Sequence, residues 1–103
     1  MKTTLIIPTL NEAEVIGTVL SQVPPDLLDE VLVVDNGSTD GTAEAAARAG
    51  ARVITEIRRG YGSACWAGVG ALRPTVEIAS CALHHGDEGA SRFFRFERRR
   101  TPR

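Results

Sequence analysis

Residues 31–42 read VLVVDNGSTDGT, an uninterrupted apolar run followed by acids, an amide, glycines and hydroxyls. The run does not alternate between apolar and polar residues, which is typical of a strand buried on both faces in a parallel sheet. Residues 38–42 suit the cap of a following helix. A turn with a helix cap therefore explains the end of the stretch, but it explains Asp35 and Asn36 less well.

Apolar runs and turn residues predict an alternation of strands and helices around this stretch. Predicted strands cover residues 4–7, 30–34 and 51–55, and predicted helices follow at residues 13–23, 42–49 and 63–72. Asn11 is the expected N-cap of the first helix, and Glu14 completes a capping-box spacing. The β-α-β-α-β-α order predicts an α/β fold with right-handed crossovers.

Length and composition indicate one globular domain. The chain has 103 residues, of which 43% are hydrophobic and 24% charged. No apolar run approaches the roughly 20 residues that span a bilayer, and the N-terminal apolar stretch, broken by Pro8, is too short for a secretory signal. We therefore expect a cytoplasmic protein without a transmembrane segment, or one peripheral at the membrane.

The net charge of −1 conceals an uneven distribution. Residues 92–103 contain six of the twelve Lys and Arg residues, and the first 91 residues carry six basic and twelve acidic groups, a net of −6. The regular pattern is lost after Ile78. A basic end of this kind is either a disordered tail or a segment that contacts phosphate or membrane.

The cysteines and histidines carry little signal. Cys65 and Cys81 form no CxxC motif and are too few for a disulfide framework, so we expect reduced, partly buried thiols. Cys81, His84-His85 and Asp87 offer metal-ligand atoms, but their spacing matches no zinc pattern. The sequence predicts no metal site here.

Polar, glycine-rich segments follow the ends of the three predicted strands, at residues 8–12, 35–40 and 56–62. The carboxyl ends of parallel strands meet at one edge of a sheet, where ligands bind in α/β folds. We expect the three segments to share a crevice. Tyr61 and Trp66 could stack on a base or serve as ordinary packing, and Arg58-Arg59 could meet phosphate or form an exposed basic pair.

A Rossmann-type dinucleotide-binding protein is one alternative, since an acid at the end of the second strand is expected there. That fold also requires GxGxxG after the first strand. Here the first strand is followed by PTLNE, and GxG occurs only at Gly60-Tyr61-Gly62, after the third strand. The glycine pattern therefore disfavours this alternative.

Three motifs resemble the N-terminal half of a family 2 glycosyltransferase, in the subgroup that uses polyprenyl or dolichyl phosphate as acceptor for mannose or glucose. They are IIPTLNE at residues 6–12, VVDNGSTDGT at 33–42 and RGYGSA at 59–64. Their order and spacing match the family over about residues 3–78. The resemblance implies a three-layer α/β/α sandwich of the GT-A type and transfer of a sugar from a UDP- or GDP-linked donor.

The resemblance also implies where the nucleotide-sugar binds. The segment after the first strand would lie along the nucleoside, Asp35 would bind the base or ribose, and Arg59 to Gly62 would border the phosphates. The implied binding residues are Pro8, Asn11, Glu12, Asp35, Asn36, Asp40, Arg59, Gly60 and Gly62. A lipid phosphate is the implied acceptor, and no nucleic acid is implied as a partner.

The chain departs from the family pattern after Ile78. In the family a fourth strand ends in a DxD motif that holds Mg²⁺ or Mn²⁺ on the diphosphate. No DxD follows here, so the ligands of the expected metal are not present and no catalytic residue is assigned. We therefore expect residues 1–78 to be the nucleotide-sugar-binding part of a truncated GT-A domain, and residues 79–103 to be an atypical, poorly ordered basic tail.

Two hypotheses follow from this departure. The chain is either a glycosyltransferase or a truncated, catalytically inactive nucleotide-binding module. A frameshift near codon 79 would account for the loss of pattern. If no alternative reading frame downstream encodes an apolar strand ending in DxD, the frameshift hypothesis is wrong.

Overall fold

The computed structural model describes residues 3–23, 29–73, 78–85 and 90–97. Within these ranges strands and helices alternate as the sequence predicts, and two further strands follow. The elements are β1 (Thr3–Thr9), α1 (Ile16–Ser21), β2 (Glu30–Asp35), α2 (Thr42–Arg48), β3 (Arg52–Thr55), α3 (Tyr61–Gly70), β4 (Ile78–His85) and β5 (Ala90–Glu97). None of the described helices has the length and apolar content needed to cross a bilayer.

The strands form one sheet in the order β3-β2-β1-β4-β5. The first four strands of this order are parallel, and β5 pairs antiparallel with β4. Thr9 lies opposite Asp35, and Asp35 lies opposite Thr55. The carboxyl ends of β1, β2 and β3 are therefore in register, and the segments that follow them start at one edge of the sheet.

Both faces of β1 and β2 are covered, which explains the non-alternating apolar run. Ile6, Leu32 and Val34 pack with Ala64 of α3 on one face. Ile7 and Val33 pack with Ile16 of α1 and Ala46 of α2 on the other face. The predicted three-layer α/β/α sandwich is confirmed.

The strand order favours a crevice beside β1 at the carboxyl edge of the sheet. The chain runs from β1 outward to β2 and β3 through helices on one face, and then α3 carries it along the other face back to β4. Connections that leave β1 and β4 on opposite sides open a cleft at the carboxyl ends of these strands. The fold therefore places the loop after β1 beside the crevice.

The first helix begins later than its capping signal predicts. Helix α1 starts at Ile16 after Val15, which makes no side-chain cap bond. Asn11 has a left-handed backbone with φ of 51°, and its side-chain oxygen accepts a hydrogen bond from the Thr39 N–H at 2.9 Å. The prediction of Asn11 as N-cap is therefore wrong, because a partner 28 residues away takes the oxygen that would have capped the helix.

The region after Ile78 is more regular than the sequence indicates. Strand β4 pairs with β1 through residues 78–81 and with β5 along its whole length. Residues 78–85 and 90–97 are thus assigned to strands, while the expectation of an atypical, poorly ordered basic tail from residue 79 stays a prediction. Hydrogen bonds between strands involve the backbone alone, so such pairing forms without the apolar period that sequence reasoning looks for. The domain boundary at residue 78 stays a prediction.

Cys65 also differs from expectation. It is partly buried against the core of α3 and the sheet, as predicted, but it is disulfide-bonded rather than reduced. Two isolated cysteines carry no spacing signal, so the expectation of reduced thiols had only composition behind it.

Helix α3 approaches the sheet closely at Gly68. A Cβ atom built there would lie 2.6 Å from Cγ2 of Ile6 and 3.3 Å from Cγ2 of Val34. Both methyl groups belong to buried, β-branched strand residues that cannot move aside. The glycine that weakens the helix in isolation therefore allows it to pack on the sheet.

We expect Gly68→Ala to destabilise the fold by about 1–3 kcal/mol, because the added methyl overpacks the core. The matched control is Gly70→Ala in the same helix, where a Cβ meets no atom within 4 Å. The control should be neutral or gain up to about 1 kcal/mol from helix propensity. Urea unfolding of both variants measures the difference, and equal stability of the two would contradict the close approach.

Candidate functional site

Three loops meet at the carboxyl edge of the sheet: the first loop (residues 10–15), the second loop (36–41) and the third loop (56–60). They border a cleft of about 160 Å³. The residues that line it are Pro8, Thr9, Leu10, Asn36, Arg59 and Gly60. The structure thus brings Pro8, Asn36, Arg59 and Gly60 of the predicted set together around one cavity.

The other predicted residues lie beside this cleft rather than on its wall. Gly62 borders a neighbouring groove of about 520 Å³, together with Trp66. The side chain of Trp66 is 76% exposed, so Trp66 is not the ordinary packing residue that was one of its two interpretations. Contacts of the first loop with the second loop and α2 involve Asn11, Glu12 and Asp40, whereas Asp35 bonds to Ser38 of the second loop.

Three consecutive backbone amides of the first loop donate to side chains of the second loop and of α2. The Asn11 N–H donates to Ser38 Oγ at 2.9 Å, the Glu12 N–H to Thr42 Oγ1 at 2.9 Å, and the Ala13 N–H to Asp40 Oδ2 at 3.2 Å. These amides come before the first turn of α1, so the helix itself provides no acceptor for them. The side chains of the second loop supply the missing acceptors and join the two loops.

The hydroxyl of Ser38 links the first loop to Asp35. It accepts the Asn11 N–H and donates to Oδ1 of Asp35, and the Ser38 N–H donates to Oδ2 of the same carboxylate at 3.3 Å. Asp35 is 5% exposed. Each carboxylate oxygen has two lone pairs, so Asp35 is held in one orientation while keeping acceptor capacity for a ligand.

Thr42 links the first loop to Asp40 in the same way. Its buried hydroxyl accepts the Glu12 N–H and donates to Oδ1 of Asp40. The Thr42 hydroxyl is the main cause that lowers the pKa of Asp40 below its usual value of 3.8, and the amides of Ala13 and Thr42 contribute. Asp40 therefore acts chiefly as an acceptor that fixes the two loops.

The third loop is fixed by Asn36. The Asn36 side-chain amide donates to the carbonyls of Glu56 and Arg58, both at 2.7 Å, and its oxygen accepts the Gly60 N–H at 3.1 Å. Gly60 has φ of 114°, a left-handed conformation that favours glycine. Arg59 lies between these anchored residues and lines the cleft.

Sequence reasoning missed Ser38 and Thr42 as parts of the site. Both were interpreted only as residues of a helix-capping turn. A local signal for them does exist in the sequence, because each hydroxyl follows a carboxylate closely. Ser38 comes three residues after Asp35, and Thr42 comes two residues after Asp40. Their second partners, in the first loop, are 27 and 30 residues away and leave no local signal.

The described residues do not supply a divalent-metal site. No group of three or more His, Cys, Asp or Glu side chains converges within the part of the chain that the structure describes. Asp87-Glu88, the acids nearest to the expected position of the DxD motif, lie outside the described residues. We therefore derive no chemical step through a metal ion.

The family of the chain follows from its match to known proteins. The model of glycosyl transferase family 2 matches residues 4–80, which include all three loops. The chain belongs to this family. It is also 50% identical over 87 residues to an uncharacterised glycosyltransferase of Mycobacterium tuberculosis, covering 82% of this chain and 39% of that protein.

Solved structures agree with this assignment. The chain is similar to glucosyl-3-phosphoglycerate synthase of Mycobacterium tuberculosis in complex with Mn²⁺, UDP and glucosyl-3-phosphoglycerate, with a TM-score of 0.71 and 31% identity. The match covers 80% of this chain and 33% of that one. A complex of the same enzyme with Mn²⁺, UDP-glucose and phosphoglyceric acid matches with a TM-score of 0.70 and 30% identity. The fold is therefore of the GT-A type, and this chain spans about a third of the solved relatives.

We expect Thr42→Val to destabilise the fold by about 1–3 kcal/mol. The substitution keeps the shape of the side chain but removes the hydroxyl that accepts the Glu12 N–H and donates to Asp40. Chemical denaturation at pH 7 measures the loss. Thr18→Val, on the exposed side of α1, is the control and should change stability by less than about 0.5 kcal/mol. A loss no larger than that of the control would contradict the bridging role of Thr42.

Asp40 should make the free energy of unfolding depend on pH in the acidic range. Because its folded-state pKa is lowered, its contribution is present above the usual value of 3.8 and is lost as pH falls through the folded-state value. Asp40→Asn should therefore lower stability at pH 7 and reduce its decline below about pH 4. The same decline should be smaller in Thr42→Val, which removes the main cause of the pKa shift. Unfolding curves from pH 7 to pH 2.5 that are parallel for all three proteins would contradict this.

Proposed function

We propose that the three loops bind the nucleotide part of a nucleotide-sugar donor. The observation that carries the proposal is a cleft at the carboxyl edge of the sheet, lined by Arg59 and the apolar Pro8 and Leu10. Asp35 ends β2 at the same edge, opposite Thr9 of the cleft wall. Asp35 can accept hydrogen bonds from a base or ribose, and Arg59 can pair with a phosphate. Membership of the family and the nucleotide complexes of its solved relatives support this proposal.

The nine residues implied by the motifs then divide into those that would contact the nucleotide and those that would act indirectly. Pro8, Asp35, Arg59 and Gly60 would contact the nucleotide, with Pro8 and Leu10 forming the apolar wall beside the base. Three residues would act indirectly, because their hydrogen bonds join the first loop to the second loop and α2: Asn11, Glu12 and Asp40. Gly62 would shape the neighbouring groove. Asn36 would act through the third loop.

The donor that the relatives favour is a UDP-sugar. Glucosyl-3-phosphoglycerate synthase is solved with UDP-glucose, with UDP and Mn²⁺, and with UDP and Mg²⁺. We infer a uridine nucleotide for this chain and keep GDP as the competing donor base. A divalent metal is expected for the family, and it neutralises the diphosphate leaving group in such transfers.

In the proposed reaction an acceptor oxygen attacks the anomeric carbon of the sugar as the bond to the nucleoside diphosphate breaks. The guanidinium of Arg59 would stabilise the charge that develops on the diphosphate.

The acceptor inferred from the sequence motifs was a lipid phosphate, but the similar solved structures contain phosphoglyceric acid instead. A small phosphorylated acid is therefore the first acceptor to test, and a polyprenyl phosphate is the second.

A nucleotide-binding module without transfer activity is the second candidate. The described loops form the cleft that such a module requires. Titration with UDP-glucose with and without Mn²⁺ separates the two candidates. Metal-dependent transfer supports the enzyme, and metal-independent binding without turnover supports the module.

Asp35→Ala tests the binding proposal itself. We expect UDP affinity, measured by isothermal titration calorimetry, to fall about tenfold or more, because a buried carboxylate that accepts from the ligand is lost. Glu44→Ala removes a carboxylate from the exposed surface of α2 and should bind UDP like the wild type. Unchanged UDP affinity in Asp35→Ala would remove Asp35 from the site, and a wild-type chain that binds no nucleotide would refute the proposed function.

A further inference from the structure

All the polar atoms of one side chain on the cleft wall are used by a neighbouring loop. Asn36 is 8% exposed, and its amide nitrogen donates to two carbonyls while its oxygen accepts one amide. The partners Glu56, Arg58 and Gly60 all belong to the third loop, 20 to 24 residues along the chain. Asn36 thus holds this loop by three hydrogen bonds of 2.7 to 3.1 Å.

Only a short carboxamide satisfies this set of partners. The position needs two donors directed at carbonyl oxygens and one acceptor directed at an N–H. An aspartate of the same shape would direct acceptor oxygens at two carbonyls, and alanine would supply none of the bonds. The identity of residue 36 is therefore set by the main chain of the third loop.

The hydrogen bonds enclose Arg59. The carbonyl of Arg58 and the N–H of Gly60 are the bonded groups on either side of it, so the backbone of Arg59 is held from both directions. Arg59 and Asn36 line the same cleft of about 160 Å³. Movement of the third loop would therefore move Arg59 relative to the cleft that it lines.

We propose that Asn36 is a positioning residue that acts on the ligand through Arg59. It holds the third loop so that Arg59 meets the diphosphate of the bound nucleotide, while the base and ribose are recognised by other residues. This inference rests on the proposed function. It differs from a general structural role because it concerns one part of the ligand, the diphosphate.

The test compares UDP with uridine on the full chain carrying Asn36→Asp or Asn36→Ala. At pH 7.5 both variants should bind UDP about tenfold more weakly, whereas uridine affinity should change less than about twofold. Lowering the pH should partly restore UDP binding by Asn36→Asp relative to wild type, because a protonated carboxyl donates one hydrogen bond. Asn36→Ala, which does not titrate, should show no such recovery.

A double-mutant cycle with Arg59→Ala separates positioning from direct repulsion of phosphate by a new charge. If Asn36 acts through Arg59, Asn36→Asp should cost little further UDP affinity in the Arg59→Ala background. Amide hydrogen exchange at Gly60 should become faster in both Asn36 variants. Gln22→Glu, which makes the same amide-to-acid change on the exposed end of α1, is the control and should bind both ligands like the wild type.

The outcomes distinguish this role from the proposed function. If the wild type binds UDP but the Asn36 variants lose uridine and UDP equally, or if their losses add to that of Arg59→Ala, the positioning role is wrong and the proposed function stands. If the wild type binds neither ligand, the proposed function fails and this role of Asn36 fails with it.

Discussion

The site depends on how the backbone amides between β1 and α1 find acceptors. The amides of Asn11, Glu12 and Ala13 have no partners within a helix, and the structure pairs them with Ser38, Thr42 and Asp40. A buried or half-buried amide without an acceptor costs free energy comparable to a lost hydrogen bond. Of the three bonds, the one from the Glu12 N–H to Thr42 is partly buried, and together they join the first loop to the second.

The same contacts determine which polar groups are left for a ligand. The hydroxyls of Ser38 and Thr42 each accept an amide of the first loop and donate to a carboxylate, Asp35 or Asp40. Asn36 uses its carboxamide on the third loop. Much of the polar motif thus builds the wall of the cleft, while Asp35 keeps acceptor capacity and Arg59 brings a positive charge.

Membership of glycosyl transferase family 2 relates this arrangement of the three loops to nucleotide binding. The solved relatives bind UDP with a divalent metal, and this chain shares their fold over about a third of their length. The shared part contains the sheet edge and the three loops, which is the part that we propose binds the nucleotide.

Local patterns in the sequence determined the order of elements and the edge at which the loops meet. The apolar run of residues 31–34, the glycines and the prolines act over a few residues, so strand, helix and turn are readable without knowledge of the fold. The parallel sheet followed from that order, because βαβ units place every polar segment at the carboxyl ends of the strands. The family motifs added the expected ligand.

Only the tertiary structure decided what the individual side chains do. Asn11 lost its capping role to Thr39, Asn36 became the anchor of the third loop, and Gly68 proved to be the point where α3 touches Ile6. Residues 78–85 and 90–97 formed strands without an apolar period. The physical reason is the same in each case: the partner is distant in sequence, and a hydrogen bond or contact over that separation leaves no local pattern.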